Sequence, residues 1–475
     1  MFLTHSVDRS SSRSLDKEVV HPEKAPLESR ESLEKRLVRK IDIRMSMLVV
    51  IFILNFIDRS NAAVARLRGF EEDLGLTGAQ YPTVLSIFFV GYILVMVPSN
   101  MFLNHIGRPS VYLPACTILW GVVSLLTGQQ YLIFTGALLC RFFLGLIESS
   151  FLPGALLTLS AWYKSDELGL RNCLLFCGLL VSTAFGTLMA SGILDGMEGK
   201  LGQAAWRWLF YIEGSATIVI AIPAMFILPD FPNHPSSAKW LTPEELELAK
   251  ARMTEENEST KNTQVTKREG LMMALRDWKV WWLCLCTTGY QLSICYNQFL
   301  PTLLQTLGYS RLTTLILCAP PAFVSAVFTF YVARHSDKTK SRFAHIAASL
   351  FLSILGFMIS MVTMNQGARY FAIFLMFLTM GGWVTLLAWV TNSISSPSPK
   401  RAVALGLTCA CSQLGSLAGS YVFPKQWGPT YRNSYGISIA AATLTMIMCF
   451  IFRLHLAELN RKANQHGKDT FKYIV

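Results

Sequence analysis

The sequence predicts an all-α membrane protein with twelve transmembrane helices in two six-helix halves. Three observations carry that expectation. Twelve hydrophobic stretches run along the chain, each near the ~20 apolar residues a helix needs to cross a ~30 Å hydrocarbon core. They divide six and six about one polar segment, from about Asp230 to Trp278. Of the 475 residues 52% are hydrophobic and only 15% charged, against about 25% charged in soluble domains; mean hydropathy is +0.40. Lipid offers the backbone no partners, so every stretch must satisfy its N–H and C=O groups within its own helix.

The spans are expected at 43–64, 82–103, 110–127, 131–160, 172–194, 206–228, 279–300, 313–333, 344–363, 369–391, 402–423 and 435–453. Five units follow: a tail over 1–42, a first half over 43–228, a linker over 229–278, a second half over 279–453 and a tail over 454–475. Met1, Phe2 and Leu3 lead into polar, mixed-charge sequence, so no cleaved signal peptide is expected. The first tail is rich in Ser, Glu, Lys and Arg and cannot bury enough surface to fold alone, which predicts disorder.

Net charge is +12, and its placement excludes a nucleic-acid partner as the simplest reading. Lys35, Arg36, Arg39, Lys40 and Arg44 lie at the start of span one. Arg334, Lys338, Lys340 and Arg342 follow span eight, Lys400 and Arg401 precede span eleven, and Arg453, Arg461, Lys462, Lys468 and Lys472 close the chain. With both termini cytosolic all of these fall on one side, which is the positive-inside bias. The opposite loops hold chiefly Arg66, Arg68, Lys200, Arg311, Arg369, Lys425 and Arg432. The eleven cysteines, among them Cys173, Cys177, Cys284, Cys286, Cys409 and Cys411, form no Cys-x-x-Cys pair and read as small core hydrophobes. No metal or cofactor is expected. The triplet Asn257-Glu258-Ser259 lies in the linker and should stay unglycosylated in the cytosol.

Along the first half, the charges inside spans need explaining, since each costs at least ~2.5–3.5 kcal/mol on insertion scales. Five stand out: Asp58, Arg59, Arg141, Glu148 and Glu213. Asp58 and Arg59 sit toward the far end of helix one, as gating or structural groups, with Asp58 a further candidate for carrying a proton. The turn after helix two reads Asn104-His105-Ile106-Gly107-Arg108-Pro109. Arg141, Gly145 and Glu148 share one face of helix four by i, i+4, i+7 spacing. The two charged Cα atoms are then roughly 10 Å apart, too far for a tight pair. Such a face either lines a cavity, with a cation and an acid costly enough to ionise that it exchanges protons, or locks neighbouring helices. Glu213 follows an aromatic belt of Trp206, Trp208 and Tyr211 and is either a packing acid or a second proton site.

In the linker, Thr242, Pro243 and Glu245 form a helix-start signature, with the helix expected to run to about Met253 and a polar tether to Lys267. Spans seven to twelve contain no acidic residue. Their candidates for substrate contact are neutral: Tyr290, Gln291 and Asn297 on helix seven, Trp389 and Asn392 on helix ten, Gln413 on helix eleven. Polar stripes also hold membrane helices together, and that reading stays open. The turn after helix eight, His335-Ser336-Asp337-Lys338-Thr339-Lys340-Ser341-Arg342, echoes the turn after helix two. Asp337 can clamp helix ends there, while Asn104 has lost the acid beside Gly107 and Arg108. Two such turns suggest internal duplication, as in rocker-type carriers with a midplane site.

Several stretches resemble one family. They include Asp58-Arg59-Ser60-Asn61, Asp73-Leu74-Gly75-Leu76-Thr77-Gly78, Leu85-Ser86-Ile87-Phe88-Phe89, Val97-Pro98-Ser99-Asn100 and Arg141-Phe142-Phe143-Leu144-Gly145. Trp206-Arg207-Trp208-Leu209-Phe210, Leu228-Pro229-Asp230-Phe231-Pro232, Lys239-Trp240-Leu241-Thr242-Pro243-Glu244-Glu245 and Pro429-Thr430-Tyr431-Arg432 complete the set. Together they resemble the major facilitator superfamily and, within it, fungal anion:cation symporters of the allantoate permease group. Ala63-Val64, Ser149-Ser150 and Gln413 depart from that pattern. The resemblance implies a monomeric carrier in the plasma membrane that takes up a small organic anion with protons by alternating access. The group's range spans nicotinate, pantothenate, biotin, allantoate, ureidosuccinate and small peptides, mostly carboxylates. Efflux by exchange is the alternative. Efflux members typically carry Gly-Pro-x-x-Gly-Gly in helix five, where this chain reads Gly178-Leu179-Leu180-Val181-Ser182-Thr183-Ala184-Phe185-Gly186. No catalytic cluster or nucleotide loop is present, so neither an enzyme nor an ATP-driven pump is expected.

Overall fold

The structure, a computed structural model, describes residues 27–129, 133–260, 267–394 and 398–465. The first half comprises α1 (Leu27–Ala65), α2 (Gln80–Ile106), α3 (Pro109–Thr127), α4 (Phe134–Trp162), α5 (Ser165–Gly196) and α6 (Ala205–Ile227). The second comprises α7 (Trp278–Ser293, resuming at Leu300–Gln305), α8 (Arg311–Thr339), α9 (Arg342–Val362), α10 (Gln366–Ser393), α11 (Ser398–Gly419) and α12 (Arg432–Gln465). Among the described residues, nine helices are long and apolar enough to cross a membrane. The other three helices are less apolar or shorter for visible reasons. In α1 the apolar run is interrupted by Asn55, Asp58, Arg59 and Asn61, α7 is broken, and the apolar run of α11 is short. No strand occurs among the described residues.

Several helices expected as continuous are interrupted, α7 and α4 among them, and this corrects the sequence reading. The α7 segment tightens into a 3₁₀ helix over Cys295–Phe299 ahead of Pro301, with Tyr296 donating its hydroxyl hydrogen to the Met376 carbonyl at 2.6 Å. The α4 segment breaks at Ser149-Ser150, directly after Glu148, where both hydroxyls turn back to the Leu146 and Ile147 carbonyls. Serine hydroxyls compete with the helix's own hydrogen bonds in this way.

Odd-numbered helices leave the linker end of the bundle and finish at the far end. At the far end, residues of both halves share one core, including Phe70, Tyr81 and Trp206 with Phe299, Phe423 and Tyr431. Toward the linker the first half has its own core, built around Phe52, Trp120 and Phe151. Across the halves α2 packs on α11, and α5 on α8. Within the first half, α2 and α4 meet backbone to backbone: a Cβ on Gly145 would strike the Phe88 carbonyl, and one on Gly91 the Phe142 carbonyl. That contact fixes the height of Arg141 and Glu148 against α2.

The expected disorder of the first tail needs correction over residues 27–42, which are the start of α1. Leu37 and Ile41 are fully buried, and charge pairing supplies what the apolar surface lacks. A linker helix, Pro243–Thr260, lies alongside, longer than the expected stop near Met253. Its start is capped reciprocally: Thr242 N–H donates to Glu245 Oε2 at 3.0 Å and Glu245 N–H to Thr242 Oγ1 at 3.3 Å. Lys40 Nζ pairs with Glu245 at 2.7 Å, while buried Arg252 reaches Glu34 at 2.8 Å and Glu167 at 2.5 Å. These partners all belong to α1 and α5, so the linker helix is bound to the first half. Residues 1–26, the tether residues 261–266 and the end of the second tail from 466 lie outside the described residues, as do the side chains of Cys173 and of Asn257-Glu258-Ser259.

Candidate functional site: a buried charge cluster in the first half

The five embedded charges converge. Asp58 is 1% exposed and its Oδ1 accepts from Ser124 Oγ of α3 at 2.6 Å and from Asn61 Nδ2 at 3.3 Å. Arg59, one residue on, points around α1 toward α2 and α4. Its Nη2 meets Glu148 Oε2 at 3.2 Å, and its guanidinium lies 4.9, 4.9 and 5.0 Å from the ring centres of Phe56, Phe88 and Tyr92. Such rings attract a cation without neutralising it, and the Arg59 side chain stays 21% exposed. Glu148 therefore pairs with Arg59 and not with Arg141, a contact between helices that spacing along one helix could not reveal.

Arg141 is 2% exposed, lies 5.9 Å from the Phe210 ring, and interacts electrostatically with both Asp58 and Glu148. Its Nε and Nη2 have no hydrogen-bond partner among the described residues, nor do Glu148 Oε1, Asp58 Oδ2 or either oxygen of Glu213. Glu213, 2% exposed, faces Asn61 and Asp58 from α6 and backs onto an apolar groove of about 270 Å³ between α1, α5 and α6. Three acids (Asp58, Glu148, Glu213) thus share two cations (Arg59, Arg141). One carboxyl is left without a cationic partner, and in a low-dielectric interior such a group is uncharged or short-lived as an anion. The cluster borders the other half: Tyr92 touches the Arg59–Glu148 pair and interacts with Cys409 of α11, and Ala410 packs into the core of the first half.

The second-half candidates occupy a different setting. Tyr290 is fully buried; its hydroxyl donates to the Thr379 carbonyl at 2.6 Å and its ring centre lies 5.6 Å from that of Trp383. Trp389 is fully buried with its ring 5.1 Å from Phe452. In this conformation both are part of helix packing. Gln291, Asn297, Asn392 and Gln413 are half-buried, and Asn297 Oδ1 has no partner among the described residues.

The two basic turns also differ. Asp337 pairs with Arg342 at 2.6 Å, and Arg342 Nη1 donates to Ser336 Oγ at 3.1 Å. In the first turn Asn104 and Arg108 are exposed, and Gly107 ends α2 in the left-handed region (φ +66°), its N–H bonding the Leu103 carbonyl at 2.9 Å. The missing acid is supplied from elsewhere. Asp230, 4% exposed and just beyond α6, accepts the Ser110 N–H of the first turn of α3 at 3.1 Å and also the Ser236 hydroxyl. Its own carbonyl accepts Trp162 Nε1 at 3.1 Å. In the sequence Asp230 stands out only as the start of the polar segment and as part of the Leu228-Pro229-Asp230-Phe231-Pro232 stretch. The available signal was α3 itself, whose flanking Arg108 and Pro109 cannot cap it.

Comparison with known proteins agrees with this architecture. A family model described as Major Facilitator Superfamily matches residues 48–420. An MFS-type transporter, cnsO, of Penicillium expansum is 33% identical over 473 residues, covering 93% of this chain and 90% of the relative. A putative tartrate transporter of Agrobacterium vitis is 32% identical over 328 residues, covering 68% and 73%. Among solved structures, the partially occluded inward-open xylose transporter XylE of E. coli superposes with a TM-score of 0.65 at 13% identity, covering 88% and 98%. A bacterial homologue of the human lysosomal transporter Spinster, inward-facing and unoccupied, gives 0.63 at 18% identity, covering 87% and 95%. Two packed six-helix halves, a charge cluster at their border and these likenesses together place the chain in the major facilitator superfamily, as a multi-pass secondary transporter of a small molecule.

Proposed function

We propose that this carrier takes up a small organic anion together with protons, and that it belongs with the allantoate permease-like symporters. The observation that supports this best is the excess of one acid over the cations in the buried cluster, beside an arginine with spare donors. Arg141 offers two unpartnered N–H groups, the fork that holds a carboxylate bidentately. Glu148 is the proton carrier. Protonating it removes the charge that holds Arg59, and this pair borders α11. The proton therefore changes how the halves meet, as coupling requires. Asp58 and Glu213 stand behind it as further acids. Gln291, Asn297, Asn392 and Gln413 supply neutral contacts from the second half, with Tyr290 and Trp389 joining when the halves reorient. Relatives described as tartrate transporters are in keeping with an anionic substrate.

In this reading both termini and the 229–278 linker are cytosolic, the far end of the bundle faces outside, and the protein acts as a monomer in the plasma membrane. A reporter at Gly199 should react with an impermeant label on intact cells and one at Ser259 should not; the reverse would overturn the topology. Whole-cell uptake across the carboxylates named above, with and without a protonophore, tests the function. Accumulation of none of them, or accumulation indifferent to the protonophore, would reject it.

A further inference from the structure

At the far end, a cleft of about 480 Å³ opens between the halves, lined by Arg66, Glu71, Glu72 and Tyr81 on one side and by Phe423 and Lys425 on the other. Arg66 follows α1 directly, and its side chain is only 8% exposed. It stacks 4.3 Å from the Tyr81 ring centre and gives its Nε to Glu71 at 2.9 Å. Its Nη1 is buried with no partner among the described residues. Lys425, on the other half, is 72% exposed and reaches Glu71 at 3.5 Å and Glu72 at 3.7 Å. Glu71 is thus shared between an arginine of its own half and a lysine of the opposite one. Nearby, Tyr421 adds hydroxyl contacts to Thr83 and Ser86 of α2 at 3.2 and 3.0 Å.

We infer that this cleft is a second binding site, which receives the carboxylate of a small organic anion on Arg66 and Lys425 before transport. A buried guanidinium N–H left unmade is costly, and a carboxylate is the group that satisfies it best. The same carboxylate competes with Glu71 and Glu72 for Lys425, whose long, solvent-facing contacts are the weak kind of ion pair. Occupation therefore loosens the link between the halves at the face where the substrate arrives. The ligand class and the outward orientation rest on the proposed function; the cleft, the spare donor and the cross-half lysine do not.

The test uses the full chain in lipid nanodiscs, with nitroxide labels on keto-bearing amino acids at Ala79 and Gln426 and the probe potassium tartrate. Potassium chloride at equal ionic strength is the control. Tartrate should lengthen the label separation measured by double electron–electron resonance, and Arg66→Gln should raise the half-effective concentration at least ~10-fold, the loss of about one charged hydrogen bond. Lys425→Gln, on an exposed side chain, should show the longer separation without tartrate. An Arg66→Gln response at the parent concentration, or a Lys425→Gln distance equal to the parent's, would overturn the site. So would a chloride response equal to that of tartrate. If the parent transports a carboxylate yet shows one of these results, only the second site falls. If it transports none, the anion reading falls and this site with it.

Discussion

The two halves of this carrier are built on the same six-helix plan, yet they solve opposite problems. In the first half, three acids and Arg141 are buried on α1, α4 and α6 with Arg59 partly exposed beside them, and several of their polar atoms lack partners. In the second, Asn297, Ser349, Ser434 and Arg342 also keep buried atoms without a partner among the described residues, but other groups are satisfied locally: Tyr290 and Tyr296 hand their hydroxyl hydrogens to the Thr379 and Met376 carbonyls. One of its buried arginines, Arg369, is consumed entirely by the Ser360, Thr363, Pro429 and Thr430 carbonyls and the Thr306 hydroxyl. A satisfied polar group fixes one arrangement, whereas an unsatisfied one has free energy to gain from a proton, an anion or a new neighbour. Among the described residues, buried acids occur in the helices of the first half and not in those of the second, and that contrast assigns responsiveness to the first half and shape to the second.

The most severe test of that contrast is Glu148→Gln, which mimics the protonated acid. Gradient-driven accumulation should disappear while counterflow exchange persists. Accumulation that survives would move the carrier role to Glu213 or Asp58. Next comes Arg141. Alanine there should abolish uptake with surface expression retained, and Arg141→Lys should weaken apparent affinity about tenfold, or ~1.4 kcal/mol, by losing the planar fork. Unchanged affinity in both variants would leave Arg141 as a helix lock and make the halves more alike than proposed.

Smaller effects should appear in the second half. Tyr290→Phe removes one satisfied hydrogen bond, so thermal stability should fall by about 1 kcal/mol, with a loss of substrate affinity smaller than that of Arg141→Lys. Affinity that stays put while stability falls would remove Tyr290 from the binding site. Smallest is a pH effect on the linker helix. Burial raises the Glu245 carboxyl, but the hydrogen bond from Lys40, the Thr242 N–H and the charges of Lys40 and Arg36 outweigh it and hold the group below its ordinary value. A depressed acid contributes stability above its unfolded value of about 4.3, and loses it as pH falls through the lower folded value. Hydrogen-exchange protection over residues 243–253, relative to intrinsic rates at each pH, should therefore fall below about pH 4.3 in the parent. In Glu245→Gln protection should be low and flat across that range; an equal acid response in the variant would remove Glu245 as its cause.

Hydropathy and charge placement determined much of this molecule. Twelve spans, a six-and-six division, the reciprocal cap at Thr242 and Glu245, and the identities of the embedded charges were legible because each is local: a run of apolar side chains, or a spacing within one helix. The resemblance motifs added the family. Three features were decided only when helices met. The partner of Glu148 proved to be Arg59, because the crossing of α2 and α4 at Gly91 and Gly145 turns that face of α4 toward α1. Asp230 took the place of the acid missing at Asn104, although 126 positions along the sequence separate them. And residues 27–42, too polar to fold by themselves, became helix because the linker helix and α5 supplied charges of opposite sign. Sequence states which groups must be buried, since transfer into lipid depends on each residue's own chemistry. Which buried groups face one another depends on the crossing of helices far apart in the chain, and that only packing decides.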